Sequence, residues 1–174
     1  MRSFTEPVRA HGPVLVWEGP REAPAVVVID PAGAAKHGEL PATWRPLARR
    51  RQVVWCRLPA VQGPFDQLTD VLREIAEHVG PSYVVTSGPV AQEMLRRVSS
   101  LADMVQGVLL VDPETEEQAD AEGLAENAGV DIKVVARSRP SKRDRVEPPL
   151  PLGHPDVVLP VARIVLAGDE ERRR

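Results

Sequence analysis

The sequence predicts an α/β domain of three layers, in which a mostly parallel sheet lies between two layers of helices. Segments typical of strands and helices alternate from residue 25 onward, which indicates parallel strands joined by crossover helices. The strand segments are continuously apolar rather than alternating, as expected for central strands covered on both faces. The length of 174 residues fits a single domain over residues 1–174.

The first half of the chain contains three predicted strands and two predicted helices. The strands are Val14–Trp17, Ala25–Ile29 and Val53–Cys56. A helix is expected over Glu39–Arg51, although Pro46 would delay its start or kink it. Its core-facing residues are Trp44, Leu47 and Ala48. Phe65–Val79 is the clearest helix, because apolar residues recur at helical spacing until Gly80 and Pro81 stop it.

The second half continues the alternation. Its predicted strands are Tyr83–Val85, Val108–Val111 and Ile132–Ala136. A helix is expected to begin at Pro89, and a short exposed helix is expected over Glu114–Asn127. The final segment predicts a helix beginning near Pro160, with a strand over Ile164–Leu166 as the alternative.

The remaining segments are predicted to lie outside the regular elements. Residues 1–12 and 169–174 are expected to be tails. The charged, proline-rich segment Arg139–Pro151 is expected to be a mobile surface loop with little to bury.

Composition excludes several classes of function. The net charge of −3, without a basic stripe, argues against nucleic-acid binding. No apolar run reaches the roughly 18 residues of a membrane span, so no membrane partner is expected. No metal-ligand spacing and no phosphate-binding glycine loop occurs, so neither a metal nor a cofactor is expected.

Residue usage also bears on location and source. The one cysteine, Cys56, allows no internal disulfide and fits a reducing, cytoplasmic compartment, where we expect it to be buried and inert. The 18 prolines and the excess of arginine over lysine are typical of a high-GC bacterial genome.

The chemistry of the chain depends on residues 83–90. A short strand ends in Thr86-Ser87-Gly88, and Pro89 suits the first helical position, where its missing N–H costs nothing. This strand–turn–helix is the geometry of a nucleophile elbow and equally of any tight βα turn. Ligands of parallel sheets bind beyond the carboxyl ends of the strands. The candidate binding residues are therefore Asp30, Ala32, Gly88 and Pro89.

The order of elements, together with three short motifs, resembles the α/β-hydrolase superfamily over roughly residues 14–138. The motifs are Val-Val-Val-Ile-Asp-Pro-Ala-Gly (27–34), Tyr-Val-Val-Thr-Ser-Gly-Pro-Val (83–90) and Gly-Val-Leu-Leu-Val-Asp-Pro (107–113). The resemblance implies the fold of that family without its usual cap, because the link between Asp112 and Ile132 is too short for one. It also implies a sheet in which the strand around Val54 lies outside the strand around Val27, so that the latter neighbours the strand around Val84.

The resemblance allows two registers for the elbow. Matching without gaps places Gly88, which has no nucleophilic atom, at the nucleophile position. Pro89 would then follow it without the N–H that helps to bind the oxyanion. A shift by one residue makes Ser87 the nucleophile and the Gly88 N–H the donor, but it puts Val85 and Pro89 where the motif has glycines.

The same resemblance implies the other members of a catalytic triad. His154, in Leu-Gly-His-Pro, would be the base and Asp112 the acid. The residues taken alone also fit a loop histidine before a helix and a turn aspartate before a proline. Asp30 is expected to cap or turn the chain; in the site, it would put an acid where the family has a neutral oxyanion loop.

Three hypotheses about function follow. The first is a non-catalytic member of the superfamily, a pseudoenzyme that acts as a small-molecule-binding or protein-interaction module. The second is a small serine hydrolase that uses Ser87, His154 and Asp112. The third is an α/β domain unrelated to hydrolases.

Overall fold

The computed structural model describes residues 15–31, 38–57, 65–113, 128–138 and 148–172. Its centre is a six-stranded sheet of order β1-β3-β2-β4-β5-β6. The strands β1 to β6 are Leu15–Glu18, Ala25–Asp30, Gln52–Arg57, Ser82–Ser87, Val105–Val111 and Asp131–Ala136. The helices α1 to α4 are Arg45–Ala48, Phe65–Val79, Gly88–Arg97 and Pro155–Arg172.

The strand order confirms the topology predicted from the sequence. Strand β2 pairs in parallel with both β3 and β4, so β3 lies outside β2, and β2 and β4 are neighbours. Strands β5 and β6 continue the parallel sheet on the β4 side. Strand β1 pairs with β3 in the antiparallel direction and is the edge strand on that side.

Two apolar cores lie on opposite faces of the sheet, because successive strand residues point to opposite faces. One core joins Val27, Val54, Val84 and Val108 to the apolar residues of α2 and α3. The other joins Val28, Trp55, Val85 and Leu109 to the apolar residues of α1 and α4. The predicted arrangement of a sheet between two helical layers is therefore confirmed.

The helix predicted over Glu39–Arg51 is much shorter in the structure. A single 3-10 turn, Ala42–Trp44, leads into α1, and Pro46 lies at the start of that helix. Proline is tolerated in a first turn, where no N–H is needed, but it prevents one long helix across this position. The predicted core-facing residues are correct: Trp44, Leu47 and Ala48 are all buried.

Helix α4 begins earlier and ends later than predicted. It starts at Pro155 rather than near Pro160, which lies inside the helix, and it continues to Arg172, into the segment predicted as a tail. An internal proline removes one helical hydrogen bond. Packing outweighs this cost: three valines at helical spacing, Val157, Val161 and Val165, are buried against the sheet.

Several predicted segments lie outside the described residues. They are residues 1–12, the helix over 114–127 and the greater part of the loop, 139–147. The end of that loop is described, and Leu150 is buried there, contrary to the expectation that the segment has little to bury. Within the described ranges, no helix combines the length and the apolar character that crossing a membrane requires.

Candidate functional site

The strand order places a switch point between the carboxyl ends of β2 and β4, and this position is called the crevice below. The chain leaves β2 towards β3 on one side and leaves β4 towards β5 on the other, so the order reverses between these two strands. Parallel sheets bind ligands at such a switch point. Ile29 pairs with Thr86. The next residues, Asp30 and Ser87, therefore end the two strands on either side of the crevice.

The turn at the end of β4 is centred on Gly88. Gly88 has φ +59°, in the left-handed region, and it is the first residue of α3. Ser87 precedes it in an extended conformation, with φ −145° and ψ 169°. A side chain is disfavoured at Gly88 by its backbone conformation and not by its surroundings, since no heavy atom lies within 4 Å of the Cβ position. Gly88 is therefore the strained apex of this elbow.

Ser87 is buried and does not cap the helix that follows it. It is 2% exposed, and its side chain makes no capping hydrogen bond at the start of α3. Strand alternation places Ser87 on the same face of the sheet as Val85, which packs in the α1/α4 core.

His154 is the N-cap of α4. Its carbonyl oxygen accepts hydrogen bonds from the N–H groups of Val157 and Val158. Its Nδ1 accepts one from the N–H of Asp156 at 3.1 Å. Because a backbone N–H can only donate, the neutral imidazole carries its proton on Nε2. A triad base needs the opposite tautomer, with Nδ1 donating to the acid and Nε2 free to accept from serine.

Asp112, at the end of β5, forms hydrogen bonds with two other parts of the chain. Its carboxylate accepts hydrogen bonds from the Ser138 N–H at 2.5 Å, the Ser138 hydroxyl at 2.6 Å and the Leu150 N–H at 2.8 Å. Partial burial would raise the pKa of Asp112, but these hydrogen bonds and the charge of Arg137 lower it overall. The carboxylate thus holds the ends of β5 and β6 and the segment at Leu150.

The hydrogen bonds described above therefore do not link the three residues of the hydrolase hypothesis to one another. Within the described residues, no hydrogen bond joins any two of Ser87, His154 and Asp112; the last two bind the groups named above. Pro89 has no N–H, so it offers no oxyanion donor after the apex. Ala32 lies outside the described residues.

Asp30 contacts its neighbouring strand. It is the last residue of β2, is 2% exposed, and accepts a hydrogen bond from the indole Nε1 of Trp55 at 3.2 Å. Residues 32–37 lie outside the described residues, so the expectation that Asp30 caps or turns the chain stays a prediction. The ring of Trp55 in turn packs edge-on against that of Trp44, with centroids 5.5 Å apart.

Arg57 is a residue of this edge that the sequence analysis missed. It ends β3 directly beside Asp30, with which it is in register. Arg57 is 6% exposed, and Nε and both terminal nitrogens of its guanidinium are buried without a hydrogen-bond partner. The available signal was a cation that closes the apolar strand Val53–Cys56 at the carboxyl edge.

The structure gives no indication of a metal site or a reactive thiol in the part of the chain it describes. No group of three or more histidine, cysteine, aspartate or glutamate residues could hold an ion there. Cys56 is buried, as expected, and burial raises its pKa to about 12, so the thiol stays protonated and inert.

The fold resembles that of known esterases. A carboxylesterase of Bacillus cereus superposes with a TM-score of 0.47 at 14% identity, over 72% of this chain and 84% of that one. A carboxylesterase of the thaumarchaeon Nitrososphaera gargenis gives 0.41 at 14% identity, over 85% and 66%. The thioesterase domain of the curacin biosynthetic pathway gives 0.38 at 17% identity, over 65% and 47%.

These similarities concern the fold alone, because the sequences are only 14–17% identical. No protein-family model matches the sequence, and no curated protein sequence is similar to it. TM-scores below 0.5 are too low to assign an activity.

Proposed function

We propose that this protein is a non-catalytic α/β-hydrolase-like domain that binds a small molecule at the carboxyl edge of its sheet. The observation that carries the proposal is the positive φ of Gly88 at the apex of the elbow. The strained turn of a nucleophile elbow is the place where the catalytic serine is presented. A glycine there leaves the turn intact and removes the nucleophile.

The oxyanion chemistry supports the same conclusion. The residue after the nucleophile must donate its N–H to the developing oxyanion, and Pro89 has none. Loss of one such donor typically costs about 2.7–4 kcal/mol of transition-state stabilisation. Asp30, which ends β2 at the crevice, adds a carboxylate that would oppose a second negative charge nearby.

Ser87 is a poor substitute for the missing nucleophile. It lies in the extended backbone before the apex, and the hydrogen bonds of His154 favour the tautomer that cannot take its proton. Asp112 is engaged by Ser138 and Leu150. The conformation of Ser87, the tautomer of His154 and the hydrogen bonds of Asp112 all argue against a hydrolase that uses Ser87.

A small molecule is a better candidate ligand than a protein surface. The chemically distinctive groups of the crevice, Asp30 and Arg57, are both buried at adjacent strand ends. Buried polar groups that converge on a crevice are typical of small-molecule sites. A cytoplasmic location is part of the proposal, since the one cysteine of the chain is a buried free thiol.

Ester hydrolysis tests the proposal. Purified protein should turn over short-chain p-nitrophenyl esters no faster than the Ser87→Ala variant, which keeps the elbow but lacks the hydroxyl. Both should equal the rate without protein. Turnover by the wild-type chain that disappears in Ser87→Ala would instead support the serine hydrolase.

A further inference from the structure

We infer that Arg57 binds the carboxylate of a small-molecule ligand in the crevice beside the elbow. This inference rests on the proposed binding function and names the class of ligand. Its first basis is the guanidinium itself, whose nitrogens are buried at the carboxyl end of β3 and have no acceptor among the described residues. Arginine stays protonated in proteins, so these donors keep their charge.

A buried guanidinium without acceptors is unfavourable, because the charge has lost its hydrogen bonds to water without gaining others in the protein. The planar fork of N–H donors matches the two oxygens of a carboxylate. Other arginines of the chain show the usual alternative: Arg51, equally buried, donates to the carbonyl of Val165. Arg57 differs in having its donors at the edge where ligands bind.

The surroundings of Arg57 add the positive potential of a helix N-terminus and limit the negative charge that a ligand can carry there. Helix α3 begins at Gly88, across β2 from Arg57, and the N-terminus of a helix favours an anion. Asp30, the register neighbour of Arg57, carries its own negative charge. A singly charged carboxylate is therefore favoured over a doubly charged phosphate.

Trp55 provides a reporter for this site. Its indole N–H donates to Asp30, which lies beside Arg57. The chain has three tryptophans, so a ¹H–¹⁵N correlation spectrum should contain three indole signals. Trp17, which is 42% exposed on the edge strand β1, serves as the internal control.

The experiment titrates the protein with sodium butyrate, with butyramide as the uncharged isostere and inorganic phosphate as the dianion. Butyrate should shift the Trp55 indole signal in a saturable manner and leave Trp17 unchanged, and butyramide should have no effect. Phosphate should bind at least tenfold more weakly than butyrate. The dissociation constant for butyrate should rise at least tenfold in Arg57→Met, while Arg51→Met should bind as the wild type does.

Three results would overturn the inference: no saturable shift, an equal response to butyramide, or unchanged butyrate binding in Arg57→Met. Tighter binding of phosphate would refute the carboxylate class. If Arg57→Met does not fold, as judged by the loss of three dispersed indole signals, Arg57→Lys replaces it. Lysine keeps the positive charge but lacks the bidentate fork, so this variant should also bind butyrate more weakly than the wild type. The ester assay is independent, so failure of the anion site and failure of the non-catalytic proposal give different results.

Discussion

Asp112 combines a positive φ of 48° with a carboxylate that accepts hydrogen bonds from two other segments. Aspartate and asparagine tolerate positive φ better than most residues, because their short side chains can hydrogen-bond locally. At this position the side chain therefore fixes the backbone. We expect its loss to lower the stability of the fold.

The Asp112→Asn variant tests this role. The folded-state pKa of Asp112 lies below its ordinary value of 3.8, so its stabilising effect is fully present above that value and is lost as the pH falls through the folded-state pKa. At pH 7 the variant should lose about 1–2 kcal/mol of unfolding free energy, since hydrogen bonds to a charged acceptor are replaced by weaker ones. Urea unfolding measures the difference.

The control for that measurement is Asp131→Asn, which removes an exposed partner of Lys133 and should change stability by less than about 0.5 kcal/mol. The difference between wild type and Asp112→Asn should narrow towards pH 3. A difference that stays constant from pH 7 to pH 3 would contradict the assigned role.

At the scale of elements, helix α4 is anchored by its first residues. His154 caps it, and Pro155 occupies the first position, where no N–H is required. The segment around the cap is also held from the side, since the Trp44 indole donates to the carbonyl of Leu152 at 2.8 Å. The start of α4 is thus set by capping and by contacts with the 3-10 turn before α1.

Replacement of His154 separates capping from catalysis. His154→Ala should lower the unfolding free energy by about 1 kcal/mol, because the N–H of Asp156 loses its acceptor. His154→Asn should preserve most of the wild-type stability, since asparagine is a preferred N-cap. Thermal or urea unfolding of both variants makes the comparison. Equal destabilisation by alanine and asparagine would show that His154 does not act as the cap.

The sequence predicts an element well where nearby residues mark its ends. Helix α2 lies at its predicted bounds because apolar residues at helical spacing end at Gly80, which has φ +89°. The start of α4 carried a comparable signal, a proline and an aspartate directly after His154, which the prediction near Pro160 overlooked. The cation at the end of β3 is visible in the sequence, but the lack of a hydrogen-bond partner for Arg57 is not, because it depends on which distant groups approach the side chain.

At the scale of the whole molecule, the alternation of apolar strands and helices predicted a parallel sheet, and the resemblance to the α/β-hydrolase superfamily predicted the order of its strands. That order in turn places Asp30 and the elbow on either side of one crevice. The antiparallel edge strand β1 was not predictable in direction, because it contacts the sheet only through β3. In the structure, glycine stands at the apex of the turn between β4 and α3.

The most direct test of this account is the labelling of the intact protein by a fluorophosphonate probe, which reacts with activated serines. Mass spectrometry after incubation should show unmodified wild-type protein, identical to Ser87→Ala, with an active serine esterase labelled in parallel as the positive control. Stoichiometric modification at Ser87 that is abolished in His154→Ala would contradict the account and identify the protein as a serine hydrolase.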